Sequence, residues 1–218
     1  MACMVAVLRW LGDQGANVDS CGSTRLFVLQ NATVLREQAP AYIYLAFVVA
    51  YGTQVLHQPH DFLLTALVTA GLVSFVTIPV SGHLSDRFGR KRIYLIGSVA
   101  TGIFGFIYFA MLNTMVPGWI FLGIVLSFVP HDVMYGPQAA LIAECFTPRL
   151  RYSGCSIGYQ LASVIAGGPA PLIATALLAA TGSGYVIAVY ILFCAVVSII
   201  ATALMPDLTN RDISQEHA

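Results

Sequence analysis

Apolar residues fall into six long runs: Ala41–Leu56, Phe62–His83, Ile93–Leu112, Gly118–Ala143, Tyr152–Thr181 and Tyr185–Met205. Most reach the roughly 20 residues needed to cross about 30 Å of hydrocarbon. The breaks are short and carry Gly, Pro or polar residues, as in 57–61, 113–117 and Thr181-Gly182-Ser183-Gly184, the residue types that end helices. None of the runs alternates with period two, and a bilayer accepts only helices or closed barrels, so the pattern predicts an all-helical membrane bundle. From Tyr152 to Pro206 there is no Asp, Glu, Lys or Arg, which leaves room for two spans joined by a turn. Gly167-Gly168-Pro169 and Pro171 predict a bend or hinge in the fifth run.

Composition agrees with a membrane setting. The 218 residues are 58% hydrophobic and only 9% charged, with a mean hydropathy of +0.80, whereas soluble domains carry about 25% charged residues. Ten Lys/Arg balance ten Asp/Glu, which gives no basic surface for nucleic acid. Cys3, Cys21, Cys145, Cys155 and Cys194 are scattered without a C-x-x-C or Cys/His spacing, so neither a disulfide framework nor a metal site is expected. No nucleophile–base pair, Gly-rich phosphate loop or His/Glu metal spacing is visible, and the expectation is that the chain is not an enzyme.

The cations are placed unevenly. Arg87, Arg90, Lys91 and Arg92 lie between the second and third runs, Arg149 and Arg151 between the fourth and fifth, and Arg211 in the tail, while the alternate breaks carry none. The positive-inside rule then puts both termini in the cytoplasm of a multi-pass protein of the cell membrane. Six spans with both ends inside is self-consistent. Residues 1–35 show no clear periodicity and are left unassigned, as a disordered or non-native segment; 36–206 form the six-helix transmembrane domain and 207–218 a cytoplasmic tail. The sequon Asn31-Ala32-Thr33 abuts a helix start and is given no weight.

The most specific stretch is Gly82-His83-Leu84-Ser85-Asp86-Arg87-Phe88-Gly89-Arg90-Lys91-Arg92, expected as a short loop between two apolar helices. Gly82 and Gly89 permit close helix approach and a tight turn, and Asp86 with the Arg/Lys set can pair with carboxylates and helix ends. A latch on the cytoplasmic face is preferred over four cations that merely set orientation. Glu144 ends the fourth run at the same level and is expected to pair with Arg90 or a neighbouring cation.

This stretch resembles the G-x-L-[SA]-D-R-x-G-R-[KR] signature of the major facilitator superfamily, with His83 at a free position. Glu144-Cys145-Phe146-Thr147-Pro148-Arg149-Leu150-Arg151-Tyr152-Ser153-Gly154, followed by Ser156 and Gly158-Tyr159-Gln160, is similar to a segment of its metabolite:H+ symporter family. The resemblance runs from about Arg36 to Met205. It implies the second, carboxy-terminal six-helix half of a twelve-helix fold, with Gly82, Asp86, Arg87, Gly89, Arg90, Glu144, Arg149 and Arg151 as the cytoplasmic gating motif. It further implies proton-coupled symport of a small organic acid or zwitterion by alternating access, with a coupling proton and no other cofactor. The partners it implies are membrane lipid and a missing amino-terminal half or a second copy of this chain. The alternative is a non-transporting, truncated carrier remnant or a partner-binding membrane half.

Within the half, His131 and Asp132 stand out. His131 lies about 20 Å along the helix from either end of the fourth run, near the membrane centre. An Asp there costs about 2.5–3.5 kcal/mol on insertion scales, so it should face protein or a water-filled cavity, and such groups mark ion or proton paths. Tyr135 and Gln138 continue a polar stripe at helical spacing. The reading is that Asp132 or His131 exchanges the coupling proton while Tyr135 and Gln138 line the path; the bland alternative is a satisfied hydrogen-bond cluster around Pro130 and Pro137. Tyr51 and Gln54 in the first run, with Tyr159 and Gln160 in the fifth, are weaker candidates for the same cavity.

Overall fold

A computed structural model describes residues 33–34, 37–143, 156–157, 159–160 and 163–204. Helix α1 covers 37–54 and contains a π turn at Ile43–Phe47 before Val48–Gln54. It is followed by α2, His60–Phe88, α3, Arg90–Leu112, and α4, Pro117–Ala143. Then come α5, Ser163–Thr181, and α6, Tyr185–Leu204. Among the described residues, α2 to α6 are long and apolar enough to cross a membrane. At 18 residues α1 reaches about 27 Å and completes an all-helical six-helix half.

Burial sorts the helices. In α1, Tyr44, Val48 and Tyr51 are buried, and the π turn keeps Ile43 and Phe47 in the same core. Tyr44 meets Tyr108 edge-on with ring centroids 5.0 Å apart, and Phe47 stacks on Tyr51 at 5.5 Å. These rings form an aromatic core with Phe109 and Phe128. By contrast α2 buries few side chains and turns Val68, Leu72 and Phe75 outward, with Phe75 80% exposed. Apolar exposure of this kind suits hydrocarbon rather than water. Helix α4 packs most extensively, against α2 and α3, and α3 in turn packs on α6.

Two glycine contacts let α4 approach its neighbours. A Cβ on Gly97 of α3 would stand 2.7 Å from the Met134 backbone nitrogen. A Cβ on Gly136 of α4 would stand 2.1 Å from Ser81 Oγ and 2.9 Å from Gly82 N and Ile78 O of α2. Backbones this close admit no side-chain carbon, so the central helix is held by main-chain contact on both sides.

The signature stretch is not an extended loop. Helix α2 continues to Phe88 and α3 begins at Arg90, so Gly89 alone makes the break, with φ +98°. The helical period carries through the polar residues as far as Phe88, Asp86 and Arg90 pair across the break, and only a residue without Cβ turns the chain cheaply at that φ. The bend anticipated at Gly167-Gly168-Pro169 is a π turn, Ser163–Gly167, followed by a turn at Gly168 and Pro169 before Ala170–Thr181. Thr33 and Val34, within the unassigned first segment, are helical and fully buried, and Tyr94 Oη donates to the Thr33 carbonyl at 3.0 Å.

Candidate functional site

The middle of α4 is where unlike groups converge. His131 is 7% exposed and Asp132 2%. Across from them stands Glu37 near the start of α1, 3% exposed. The imidazole lies between the two acids: Nε2 is 4.0 Å from Glu37 Oε1, and Nδ1 is 3.6 Å from Asp132 Oδ1. Among the described residues neither ring nitrogen has a hydrogen-bond partner. The imidazole is therefore within reach of both carboxylates and hydrogen-bonded to neither.

Each acid is oriented by further side chains. Gln138 Nε2 donates to Glu37 Oε2 at 3.3 Å, tying α1 to α4. Thr77 of α2 donates its hydroxyl to Asp132 Oδ2. One turn on, Ser81 Oγ shares its one proton between the Asp132 carbonyl at 2.9 Å and the Ile78 carbonyl at 2.8 Å. Three helices thus meet at one acid–imidazole–acid array. Tyr135, exposed on the open side, stacks on His131 with centroids 6.0 Å apart and planes at 18°. Tyr159, half-buried, is in hydrogen-bond contact with Gln38 and Tyr135 and within electrostatic reach of Glu37.

His131, Asp132, Tyr135, Gln138 and Tyr159 are therefore brought together. Gln160 is exposed beside Tyr159. Tyr51 and Gln54 sit at the other end of α1: the Tyr51 hydroxyl donates to Asn113 Oδ1 at 3.2 Å, and Gln54 is exposed near the end of its helix. Sequence reasoning did not single out Glu37, Gln38, Thr77 or Ser81. A signal for Glu37 was present, since Glu37, Tyr44 and Tyr51 recur at steps of seven, about two helical turns, and so share a face.

At the α2–α3 turn, Arg90 Nη2 lies 2.9 Å from Asp86 Oδ1, and its Nε donates to the same oxygen at 3.2 Å. Lys91 Nζ donates to the Ala203 carbonyl at 3.1 Å, tying the turn to the end of α6. Arg87 lies over the Phe88 ring, 5.9 Å from its centroid. Gly82 is helical and faces Gly136, its nearest neighbour for a Cβ being the Gly136 carbonyl at 4.0 Å. Glu144, Arg149 and Arg151 lie outside the described residues, as does the expected pairing of Glu144 with Arg90.

Comparison with known proteins supports what the motifs suggest. The family model of the Major Facilitator Superfamily matches residues 38–216. The chain is 36% identical over 175 residues to the shikimate transporter of Escherichia coli K12, covering 79% of this chain and 40% of that protein. It is 30% identical over 182 residues to the glycine betaine/proline/ectoine/pipecolic acid transporter OusA of Dickeya dadantii, covering 83% and 36%. To the proline/betaine transporter of E. coli K12 it is 28% identical over 180 residues, again covering 83% and 36%. The chain spans about two fifths of the length of the curated relatives it matches. No solved structure matches it. With the signature turn, the six-helix half and these relatives in agreement, the chain belongs to the Major Facilitator Superfamily, among its metabolite:H+ symporter-type members.

Proposed function

We infer that the chain supplies the carboxy-terminal half of a proton-coupled carrier for a small organic acid or zwitterion in the cell membrane, with both termini cytoplasmic. The observation that carries this reading is the array of Glu37 on α1 with His131 and Asp132 on α4, buried where α2 also packs. Ionisable groups at membrane depth are costly, and where they persist they tend to lie on ion and proton paths.

The array suits reversible protonation. With Glu37 ionised, Gln138 holds it by its amide, which draws α1 toward α4. Proton uptake by Glu37 weakens that hold and leaves α1 free to shift. Asp132 is bound to Thr77 of α2 in the same manner, so two helices read the charge state of one site. Alternating access then couples occupancy of this site to rocking against a second half.

Among the described residues, every Lys and Arg lies on the α2–α3 turn, far from the array. This wall of the pathway offers carboxylates, an imidazole and phenols. It suits the cationic or hydroxylated part of a substrate. A facing wall would come from an amino-terminal half or from a second copy of the chain.

The test is uptake of radiolabelled shikimate, α-ketoglutarate, citrate, proline and betaine by proteoliposomes holding this chain, under an inward proton gradient. Gradient-dependent uptake that is lost in Glu37→Gln and Asp132→Asn is the expected result. Failure across the whole panel by well-folded protein would overturn transport by the chain alone and favour a remnant or a partner-binding half.

A further inference from the structure

On the side of α4 away from the ionisable array there is a second built feature. An apolar groove of about 350 Å³ runs between α3 and α4, lined by Ile96, Ala100 and Phe104 on one side and Leu126, Pro130 and Val133 on the other. At about 100° per residue, Leu126, Pro130 and Val133 cluster on one face of α4 and Tyr135 falls on the opposite face. Tyr135 marks the polar side, where a substrate or a facing half belongs, so the groove looks the other way, into the hydrocarbon.

Its depth and its charge both select an occupant. Ile96, Ala100 and Phe104 rise along α3 in steps of one turn, and one more step toward the cytoplasm is Arg92. Arg92 is exposed and, among the described residues, takes part in no ion pair, unlike Arg90 beside it. From Arg92 to Phe104 the helix rises about 18 Å, close to the roughly 15 Å thickness of one leaflet. The groove therefore begins under a cation at the cytoplasmic surface and ends at mid-membrane. We propose that it is a binding site for an anionic phospholipid of the inner leaflet, one acyl chain lying against Pro130 and the phosphate on the Arg92 guanidinium.

Occupancy has a structural consequence. Pro130 lines the groove and immediately precedes His131, so an acyl chain there braces the segment of α4 that carries the ionisable array. The lipid would fix that segment from behind while protons and substrate act on its front.

Native mass spectrometry of the full chain in detergent, with equal phosphatidylglycerol and phosphatidylcholine, tests the site. Preferential retention of phosphatidylglycerol is expected. One cation beside anionic lipid is worth about a fivefold preference, and Arg92→Gln should remove it while Arg92→Lys keeps it. Ala100→Trp, which fills the groove, should lower retention of both lipids. Equal retention of the two lipids by the unaltered chain would overturn the proposal. So would an equal loss of preference in Arg87→Gln, which would assign the effect to the general charge of the cytoplasmic face. Because none of these readouts involves transport, the result stands apart from the uptake experiment.

Discussion

The α2–α3 turn and the buried array both set acids beside bases, yet they use them differently. At the turn, Asp86 of α2 and Arg90 of α3 pair across the Gly89 break, and their side chains are 61% and 27% exposed. In the array, Glu37, His131 and Asp132 come from two helices, are nearly sealed, and depend on Thr77, Ser81 and Gln138 for orientation. Water supports the first set of charges and protein the second. The turn should therefore tolerate loss of one partner, whereas the array should transmit it to the packing of three helices.

The largest expected effect separates two glycines that face each other across α2 and α4. Gly136→Ala drives a Cβ to 2.1 Å from Ser81 Oγ and 2.9 Å from two backbone atoms of α2. The backbone cannot yield there without parting Thr77 and Ser81 from Asp132, so a loss of about 3 kcal/mol is expected. Gly82→Ala, whose Cβ meets its nearest atom at 4.0 Å, should stay within about 0.5 kcal/mol of the unaltered chain. SDS-titration unfolding of the detergent-solubilised chain measures both. Similar losses in the two variants would mean that the turn side of α2 is as tightly built as the array side.

Next in size is the bond from Thr77 to Asp132. A double-mutant cycle of Thr77→Val and Asp132→Ala should give a coupling of about 1–2 kcal/mol, the range for a hydrogen bond to a charged acceptor within a bundle. Additive losses would show that the two side chains stabilise the fold independently and would remove α2 from the array.

What could be read from the sequence follows the same division. The turn announces itself because its parts are contiguous: Gly82, Asp86, Gly89 and Arg90 lie within nine positions, and their spacing is their geometry. His131 and Asp132 were also legible, because a charge in an apolar run has few explanations. Glu37 was not singled out because it lies before the first apolar run, where an acid looks like a water-facing end. Its burial comes from the Gln138 and His131 side chains of another helix. Thr77 and Ser81 look like ordinary helix hydroxyls, and only the contact made possible by Gly136 gives them a task. The signature stretch was expected as a loop because its residues are polar, but polarity there marks the helix leaving the membrane, and only Gly89 breaks it.

A smaller effect is expected at that break. Gly89 holds φ +98°, a conformation that an L side chain resists, and Gly89→Ala should cost about 1 kcal/mol. Unfolding curves for Gly89→Ala beside Gly82→Ala sharpen the point, since Gly82 is helical whereas Gly89, at φ +98° and ψ +129°, lies outside the regions an L side chain readily adopts. Equal losses in both would remove the backbone as the cause, because the nearest atom to a Cβ is 4.0 Å away at each position.

The smallest effect belongs to the ion pair itself. Asp86 and Arg90 stand on either side of the Gly89 break and make a close contact at 2.9 Å, yet exposed pairs contribute little and weaken as salt screens them. Asp86→Asn should accordingly lower stability by less than about 0.5 kcal/mol at low ionic strength and by less still at high. The measurement is the same unfolding titration at two salt concentrations. A loss as large as that of Asp132→Asn, and insensitive to salt, would mean that the turn is buried against another part of the protein and that its charges, like those of the array, are held by packing instead of by water.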